Sequence, residues 1–508
     1  MMLKVSNMKR PSNILRKWST NANQAVEISI IQAGEQSPKS LSTFHPQFTY
    51  PIFGDEESIF GYQNLKINLR FSAHLLRPNL EILYDKKFKE VGDTKPENIE
   101  ETLREWTPEV TFEKVAAFNT HIQNDATAKH WKPPGELLNT YASKGRQFEI
   151  WSGLLTDPGI KKIIERIQIF ISFFIEGGTP LQLDDQDWTL ARWRVYFVYY
   201  IPSVRYEKLS GPLAPNASPY SIVGYSTSYR FITYIPSNPS ENKDQDFTLP
   251  PTKPISPSSL PARARISQFL ILPSHRHHGH GTHLYNAMVK TFLPDPTVTE
   301  ITVEDPSEAF DDLRDICDYK RLLENGTLAQ ASLNTEIDPK LSQKRIGVRV
   351  PTSKLLDIPL LDDLRRQNKI APRQFARLVE MHLLSKIKPH AREAGTARLT
   401  RKARSTDPDD KAYYYWRLLV KQRIYKKNKD VLIQLDRLER IEKVEQTCSE
   451  QKEDFERLLR VMLAREEQAV DGGSSPGRRD RGKRKNVIED DEDDVEMGDA
   501  KRAKSVTL

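Results

Sequence analysis

Residues 266–281 read ISQFLILPSHRHHGHG, an apolar run followed by a turn that carries two glycines. The first part, Ile266 to Leu272, predicts a β-strand. Downstream of the glycines, apolar residues recur at spacings of three and four, which predicts one face of a helix: Leu284, Ala287, Met288 and Phe292. The glycines therefore lie where a strand turns into the N-terminus of a helix.

The position of this turn suggests an anion-binding role. The first backbone N–H groups of a helix lack intrahelical partners, and glycine lets other amides approach a bound anion without a Cβ in the way. The diphosphate of a CoA-type cofactor would fit. A plain tight turn shows the same Gly-x-Gly spacing, so the motif alone leaves both interpretations open.

Five histidines crowd the same turn, at positions 275, 277, 278, 280 and 283. Because imidazole is a common zinc ligand, a metal site is one interpretation. No cysteine stands nearby, and imidazoles beside phosphate groups need no metal. We therefore predict a role beside phosphate and no metal.

A second segment carries carboxylates. Residues 299–304 alternate as a strand, Pro306 ends it, and Ser307 is predicted to cap a helix with apolar residues at Phe310, Leu313, Ile316 and Cys317. Glu304 and Asp305 thus stand at a strand end beside a helix start. A carboxylate there can act as a base towards a lysine ammonium, whose deprotonation near neutral pH costs roughly 4 to 5 kcal/mol. An N-cap or a surface ion pair is the alternative role.

The rest of the chain divides into regions of different pattern. Residues 25–84 alternate as half-buried strands, while Trp193–Ile201 and Ile222–Ile235 are aromatic and β-branched, as central strands are. Leu341–Glu467 turns helical, with a stripe at spacings of three: Leu432, Leu435, Leu438 and Ile441.

We therefore predict an α+β protein, a mixed central sheet flanked by helices together with two further domains. The predicted regions are an N-terminal extension (1–24), an N-terminal α/β domain (25–160), the domain of the central sheet (161–330), a helical C-terminal domain (331–470) and a charged tail (471–508).

Two segments are predicted to be exposed. Residues 236–261 carry seven prolines and several serines, which is typical of a mobile loop. In the tail, a basic run (478–485) precedes an acidic run (489–494), a composition typical of disorder. The basic run, with Lys501, Arg502 and Lys504, resembles an import signal that an importin would bind. A merely solubilising tail is the alternative.

Bulk composition limits the classes that remain. The chain has 508 residues, enough for two or three domains. Its net charge of +7 is small beside 76 basic and 69 acidic residues, so no uniformly basic, DNA-binding surface is expected. Two cysteines exclude a disulfide framework. No stretch has the length and apolarity of a signal peptide or a membrane span, so we expect an intracellular protein.

Taken together, three motifs strongly resemble the catalytic subunit of type B histone acetyltransferases: Gln268–Pro273, the Arg276-x-x-Gly279-x-Gly281 turn and Val303–Asp315. The resemblance also reaches Phe53–Tyr62, Phe174–Glu176 and Val223–Tyr229, so it covers roughly residues 25–325. It implies a GNAT-type acetyltransferase core that uses acetyl-CoA as co-substrate and no metal.

The resemblance also implies roles for individual residues. Glu304 takes the role of general base, with Asp305 and Glu176 as supporting carboxylates. Residues implied to bind acetyl-CoA are Phe269, Leu270, Ile271, Arg276, His277, His278, Gly279, His280, Gly281, Thr282 and Ser307. Residues implied to line the path of a histone H4 tail are Asp55, Glu56, Glu57, Tyr229, Arg230 and Phe231.

The implied mechanism is direct attack of a lysine amine on the acetyl thioester. A backbone N–H of the strand at Phe269–Leu272 stabilises the oxyanion. Acidic residues that face a basic tail fit this substrate. Cys317 lies on the apolar stripe of its predicted helix, so we interpret it as a core residue and not as an acyl carrier.

The same resemblance implies partners and places. These are histone H4 together with H3, a WD-repeat β-propeller histone chaperone, the cytoplasm and the nucleus, and links to histone deposition and DNA repair. Direct DNA binding and membrane attachment are not expected. Two other functions compete with this one: a histone carrier without activity, and a GNAT enzyme that modifies a non-histone lysine.

Overall fold

The structure, a computed structural model, describes residues 17–202, 214–233, 259–337, 352–392 and 405–471. The chain forms two compact units, residues 1–313 with 368–371, and residues 314–367 with 372–508. The start of the predicted extension, most of the loop 236–261 and the tail after Asp471 lie outside the described residues, so these predictions stay predictions.

The strands all lie in the first unit, as far as the described residues go. They are β1 (Ser19–Asn21), β2 (Val26–Gln32), β3 (Lys39–Phe44), β4 (Ser58–Phe60), β5 (Tyr62–Gln63), β6 (Lys66–Ser72), β7 (Pro78–Leu83), β8 (Lys86–Lys87), β9 (Glu136–Ser143), β10 (Arg146–Leu154), β11 (Trp193–Ile201), β12 (Ser221–Ile232), β13 (Ala262–Ile271) and β14 (Val298–Val303).

The helices follow the same chain order. They are α1 (Ala22–Ala25), α2 (Tyr50–Phe53), α3 (Ile99–Arg104), α4 (Val115–Asn124), α5 (Pro158–Ile167), α6 (Ile169–Phe174), α7 (Asp187–Leu190), α8 (His280–Phe292), α9 (Glu308–Glu324), α10 (Ile358–Gln367), α11 (Pro372–Lys386), α12 (Pro389–Arg392), α13 (Pro408–Lys427), α14 (Lys429–Leu432) and α15 (Arg437–Asp471). The second unit begins within α9.

Two sheets organise the first unit. A four-stranded sheet has the order β3-β2-β6-β7, and a six-stranded sheet has the order β14-β13-β12-β11-β10-β9. Neighbours in the larger sheet are antiparallel except β13 and β14, which are parallel and connected through α8. The larger sheet and its helices confirm the predicted α+β fold. The predicted strand Trp193–Ile201 is β11 without change.

One apolar core joins the two sheets. It runs from β2 and β6 through α5 and α6 to β11, β12 and the end of β13. Phe71 of β6 and Phe170 of α6 meet with ring centroids 4.7 Å apart. On the opposite face of the larger sheet, the predicted apolar face of α8 is buried, and Tyr196 of β11 hydrogen-bonds Thr291 at 3.1 Å.

The hairpin of β9 and β10 lies before the predicted boundary at residue 160 and belongs to the larger sheet. The hairpin pairs with β11 from Gln147–Ile201 to Leu154–Arg194. The sheet of the predicted domain 161–330 therefore begins at Glu136. Sequence pattern shows that a hairpin forms but not which sheet it joins, since that depends on pairing with a distant strand.

The second unit is helical where it is described, as predicted for the C-terminal region. Trp416 of α13 donates to the carbonyl of Glu380 in α11 at 2.8 Å, and Phe455 and Leu458 of α15 are buried. The predicted stripe from Leu432 to Ile441 is not one helical face. The chain leaves helix after Leu432, Asp436 caps α15, and Leu438 and Ile441 are exposed.

Among the described residues, no helix is both long enough and apolar enough to cross a membrane. The apolar stretch at 163–175 forms parts of α5 and α6, whose side chains are largely buried in the core.

Candidate active site

The larger sheet opens at β13. Parallel pairing with β14 ends where Ile266 lies opposite Val303, and the N–H of Glu304 donates to the carbonyl of Ile266 at 2.9 Å. Beyond this point β13 continues to Ile271 with β12 as its partner. A fork therefore forms between the two parallel strands.

Backbone groups of β13 face this fork. The N–H groups of Gln268 and Leu272 donate towards β12, to Thr227 Oγ1 at 3.1 Å and to the Val223 carbonyl at 2.9 Å. Since N–H directions alternate along a strand, those of Phe269 and Ile271 face the open side. Leu270 differs from its two neighbours, because its side chain lies in the core and its backbone faces β12.

The glycine turn meets the helix start as predicted. The local structure, however, requires each glycine for a reason other than anion binding. Gly279 adopts a left-handed conformation with φ of +83°, which side chains disfavour. A Cβ on Gly281 would lie 2.7 Å from Leu313 Cδ1, so this glycine allows α8 to approach Leu313 closely. The N-terminal N–H groups of α8 remain available to an anion.

Strand β9 holds the turn in place. The hydroxyl of Tyr141 lies 2.8 Å from Nδ1 of His280, and its ring stacks on His283 with centroids 3.8 Å apart. Ser143 donates to the carbonyl of His278 at 3.0 Å. Sequence reasoning missed Tyr141 and Ser143, because neither lies near the turn in sequence.

The histidines of the turn have different environments. The ring of His280 is buried against Phe148, with centroids 4.3 Å apart. Burial, then neighbouring positive groups, lower the pKa of His280 and of His275 to about 4. The two imidazoles are therefore neutral at physiological pH, and His280 packs inside the protein, where it can face an anion only through its backbone.

The remaining residues of the turn are accessible to different degrees. His277 is exposed, and Arg276 folds back so that its Nε donates to the carbonyl of Ile271 at 3.2 Å. Thr282 and His278 are partly exposed. In the described part of the chain, no group of three or more His, Cys, Asp or Glu is arranged to hold a metal ion.

Glu304 lies at the base of the fork. Ser267 Oγ donates to its Oε2 at 2.7 Å, and Arg265 Nη2 lies 3.5 Å from its Oε1. Asp305 follows with a φ of +33° and an exposed side chain. Ser307 caps α9, since its Oγ accepts the N–H of Phe310 at 3.3 Å. Ser267 and Arg265 were also missed from sequence.

The acidic segment at 55–57 divides into two roles. Asp55 and Glu56 are exposed. Glu57 instead accepts the N–H groups of Thr49 (2.6 Å) and Tyr50 (3.2 Å) on one oxygen and the amide of Asn23 (2.9 Å) on the other. Its carboxylate therefore stabilises the loop and is not free to meet a peptide.

The residues of β12 also differ in role. Arg230 bonds Asp295, Thr297 and the carbonyl of Leu260, so its guanidinium stabilises the connection before β14. Tyr229 packs on Trp193 with centroids 4.8 Å apart, and Phe231 is exposed. The two aromatic residues remain candidates for a peptide surface.

Glu176 lies on a loop that touches two parts of the site. The next residue, Gly177, donates to the Tyr50 hydroxyl at 3.3 Å, and Gln268 of β13 donates to the Thr179 carbonyl at 3.2 Å. The exposed carboxylate of Glu176 is therefore held between the acidic segment and the open strand.

Comparison with known proteins identifies the family. Residues 18–176 match a family described as "Histone acetyl transferase HAT1 N-terminus", and residues 339–388 match "Fungal HAT1, C-terminal". A histone acetyltransferase type B catalytic subunit of Aspergillus oryzae is 47% identical over 90% of both chains. Its counterpart in Aspergillus fumigatus is 46% identical over 97% of this chain and 89% of its own. The chain belongs to the histone acetyltransferase type B catalytic subunit family.

Membership of this type B family confirms the resemblance and the enzyme class, a protein-lysine acetyltransferase. Among solved structures, an aminoglycoside acetyltransferase from a soil metagenomic sample is 15% identical over 40% of this chain and 93% of its own, with a TM-score of 0.18. That similarity is too small to support any further conclusion.

Proposed function

We propose that the protein transfers acetyl from acetyl-CoA to lysine ε-amino groups in the N-terminal tail of newly made, non-nucleosomal histone H4. In this proposal Glu304 is the general base. The observation that carries it is the position of Glu304 at the base of the fork, beside the open edge of β13 and on the chain between two helices that pack around Gly281.

The residues at the fork fit acetyl-CoA. The N–H groups of Phe269 and Ile271 can bond the amide-containing arm of the cofactor, and the N-terminus of α8 can bind its diphosphate. Arg276 lies at the same edge through its bond to Ile271. When bound, acetyl-CoA supplies the acetyl group as a thioester.

The residues of the chain then act on the lysine. Glu304 accepts a proton from the ammonium, directly or through a water, which frees the nitrogen lone pair. The amine nitrogen forms the new C–N bond while the C–S bond breaks, and the leaving thiolate of CoA takes up the proton that the nitrogen loses as it becomes an amide. An N–H of β13 can donate to the carbonyl oxygen as negative charge develops there.

The tail-binding role rests on Asp55, Glu56 and the loop of Glu176. Exposed carboxylates attract a lysine- and arginine-rich peptide and increase its rate of encounter. The bond of Gln268 to Thr179 holds this loop beside the open strand, and the bond of Gly177 to Tyr50 holds it beside the acidic segment. Phe231 and Tyr229 supply apolar surface for the aliphatic parts of the peptide.

Partners and location are proposed from the family resemblance and from the composition of the tail. The family resemblance supports a complex with a WD-repeat β-propeller histone chaperone and with H3–H4. The basic tail supports import by an importin, and hence a protein present in both cytoplasm and nucleus.

The first experiment measures acetyl transfer from labelled acetyl-CoA to an H4 tail peptide. We expect robust transfer by the wild type and a loss of kcat of about 10² to 10⁴ in Glu304→Gln. Asp312→Asn, a carboxylate of α9 without a proposed role, is the matched control. Equal transfer to unrelated basic peptides would contradict the histone assignment, and an active Glu304→Gln would contradict the base assignment.

A further inference from the structure

Arg265 connects the proposed base to the aromatic surface. Its Nη2 lies 3.5 Å from Oε1 of Glu304, and its Nη1 donates to the Tyr229 hydroxyl at 3.2 Å. Its guanidinium carbon lies 6.0 Å from the centre of the Tyr229 ring. Arg265 and Tyr229 are direct partners in the pairing of β12 with β13, so the strand register holds the contact.

The contact also has a firm support on its other side. Tyr229 lies opposite Trp193 in the pairing of β11 with β12, and the two rings pack together. Trp193, Tyr229 and Arg265 thus form a row across three strands. At the end of the row, Glu304 is held on one oxygen by Arg265 and on the other by Ser267.

We infer that Arg265 is a positioning residue of the acetyl-transfer reaction, which holds the Glu304 carboxylate at the fork through its anchor on Tyr229. The inference rests on the proposed role of Glu304 as the base. A carboxylate on a flexible side chain samples several rotamers, and a base must lie within hydrogen-bond reach of the proton that it accepts. A hydrogen bond on one oxygen and an ion pair on the other restrict the orientation of the carboxylate.

The charge of Arg265 has a second effect. A fixed cation beside the carboxylate favours the uncharged form of an amine that approaches it. Both side chains are about one-third exposed, at 32% for Arg265 and 37% for Glu304, so solvent screens the ion pair and its contribution to folding is small. We therefore expect substitution of Arg265 to affect catalysis more than stability.

The chain supplies a matched control two residues away. Arg263 of the same strand forms an ion pair of similar length with Glu300 of β14, at 3.4 Å. Arg263→Gln removes the same charge from the same strand and the same kind of ion pair. It leaves the contacts of Glu304 intact.

The experiment measures kcat and both KM values for Arg265→Gln, Arg265→Lys and Arg263→Gln with acetyl-CoA and an H4 tail peptide, together with thermal unfolding. We expect Arg265→Gln to lower kcat about tenfold and to leave the KM for acetyl-CoA unchanged. This loss is smaller than the loss expected for Glu304→Gln, because the base itself is still present. Arg265→Lys should restore most of the loss, and Arg263→Gln should match the wild type. In a Glu304→Gln background, Arg265→Gln should have no further effect on kcat.

Three results would overturn the inference. The first is equal kcat for Arg265→Gln and Arg263→Gln while Glu304→Gln is inactive, which would leave the proposed function intact. The second is a loss that accompanies a lower unfolding temperature and that lysine does not restore, which indicates a role in folding. The third is wild-type activity of Glu304→Gln, which would contradict the base assignment and the inference together.

Discussion

Acidification should destabilise the first unit through His280, and the size of the effect follows from the structure. In the folded protein, burial and nearby positive groups lower the pKa of His280 from 6.5 to about 4. His280 is 2% exposed and its ring is bonded to Tyr141, so burial disfavours the charged imidazolium. Between these two pH values the unfolded chain binds a proton that the folded chain does not.

The two pKa values of His280 determine the direction and size of the change in folding free energy. Above pH 6.5 both states are neutral at this residue and no stability is lost. As the pH falls from 6.5 to about 4, folding loses about 1.4 kcal/mol per pH unit, or about 3 kcal/mol in total. His280→Asn removes this titration but keeps a polar side chain, so its stability should depend less on pH by about that amount.

The assay is urea unfolding of the full chain at several pH values between 7 and 4.5, followed by tryptophan fluorescence. Six of the seven tryptophans lie in the first unit, so the signal reports mainly on that unit. His277→Asn is the control, because His277 lies in the same turn but is exposed. Parallel pH dependences for the wild type and His280→Asn would refute the reasoning.

Four further substitutions test other features. In Gly281→Val the new side chain would overlap Leu313, so the free energy of unfolding should fall by about 1 to 3 kcal/mol, which calorimetry measures. The same overlap should displace the start of α8 and raise the KM for acetyl-CoA, which steady-state kinetics measure. Glu57→Ala should destabilise the first unit by about 1 to 3 kcal/mol, whereas Asp55→Asn should raise the KM for an H4 peptide and leave thermal unfolding unchanged. Glu380→Gln should destabilise the second unit by about 3 kcal/mol in calorimetry, since it removes the charge of a buried carboxylate and leaves the partly exposed guanidinium of Arg423 without its ion-pair partner.

The elements around the fork could be predicted from sequence because each has its own periodicity. The alternation before Pro306 indicates the strand that ends at Val303, and the spacing after Gly281 indicates α8. Glu304 was therefore placed at a strand end from local pattern alone. Family resemblance then supplied its chemical role, which no local pattern contains.

The partners of Glu304 could not be predicted in the same way. Arg265 and Ser267 meet it only because β13 and β14 pair in parallel with Ile266 opposite Val303. A shift by one residue would turn both side chains to the other face, and nothing local determines that register. The same holds for Gly281. A side chain there would collide with Leu313, which lies 32 residues later in the chain, so local sequence does not show why glycine is required.

Local pattern also led to one wrong structure and one incomplete role. Apolar residues at a spacing of three predicted a single helical face from Leu432 to Ile441, but Asp436 starts a new helix within it. Glu57 looked like its acidic neighbours, yet it bonds three donors of the fold. In both cases a hydrogen bond to a backbone N–H decides the outcome.

A short return of the chain completes the sheet at β14. Residues 368–371 come back to the first unit, where the N–H of Ile301 donates to the carbonyl of Lys369 at 2.7 Å and Ile370 bridges Ile301 in parallel. The ammonium of Lys369 also bonds the carbonyl of Phe292 at 3.1 Å. A fragment that stops near residue 330 would keep every proposed catalytic residue and still leave this strand bare, open to pairing with other molecules. The smallest soluble enzyme should therefore extend past Ala371, even though no chemistry takes place there.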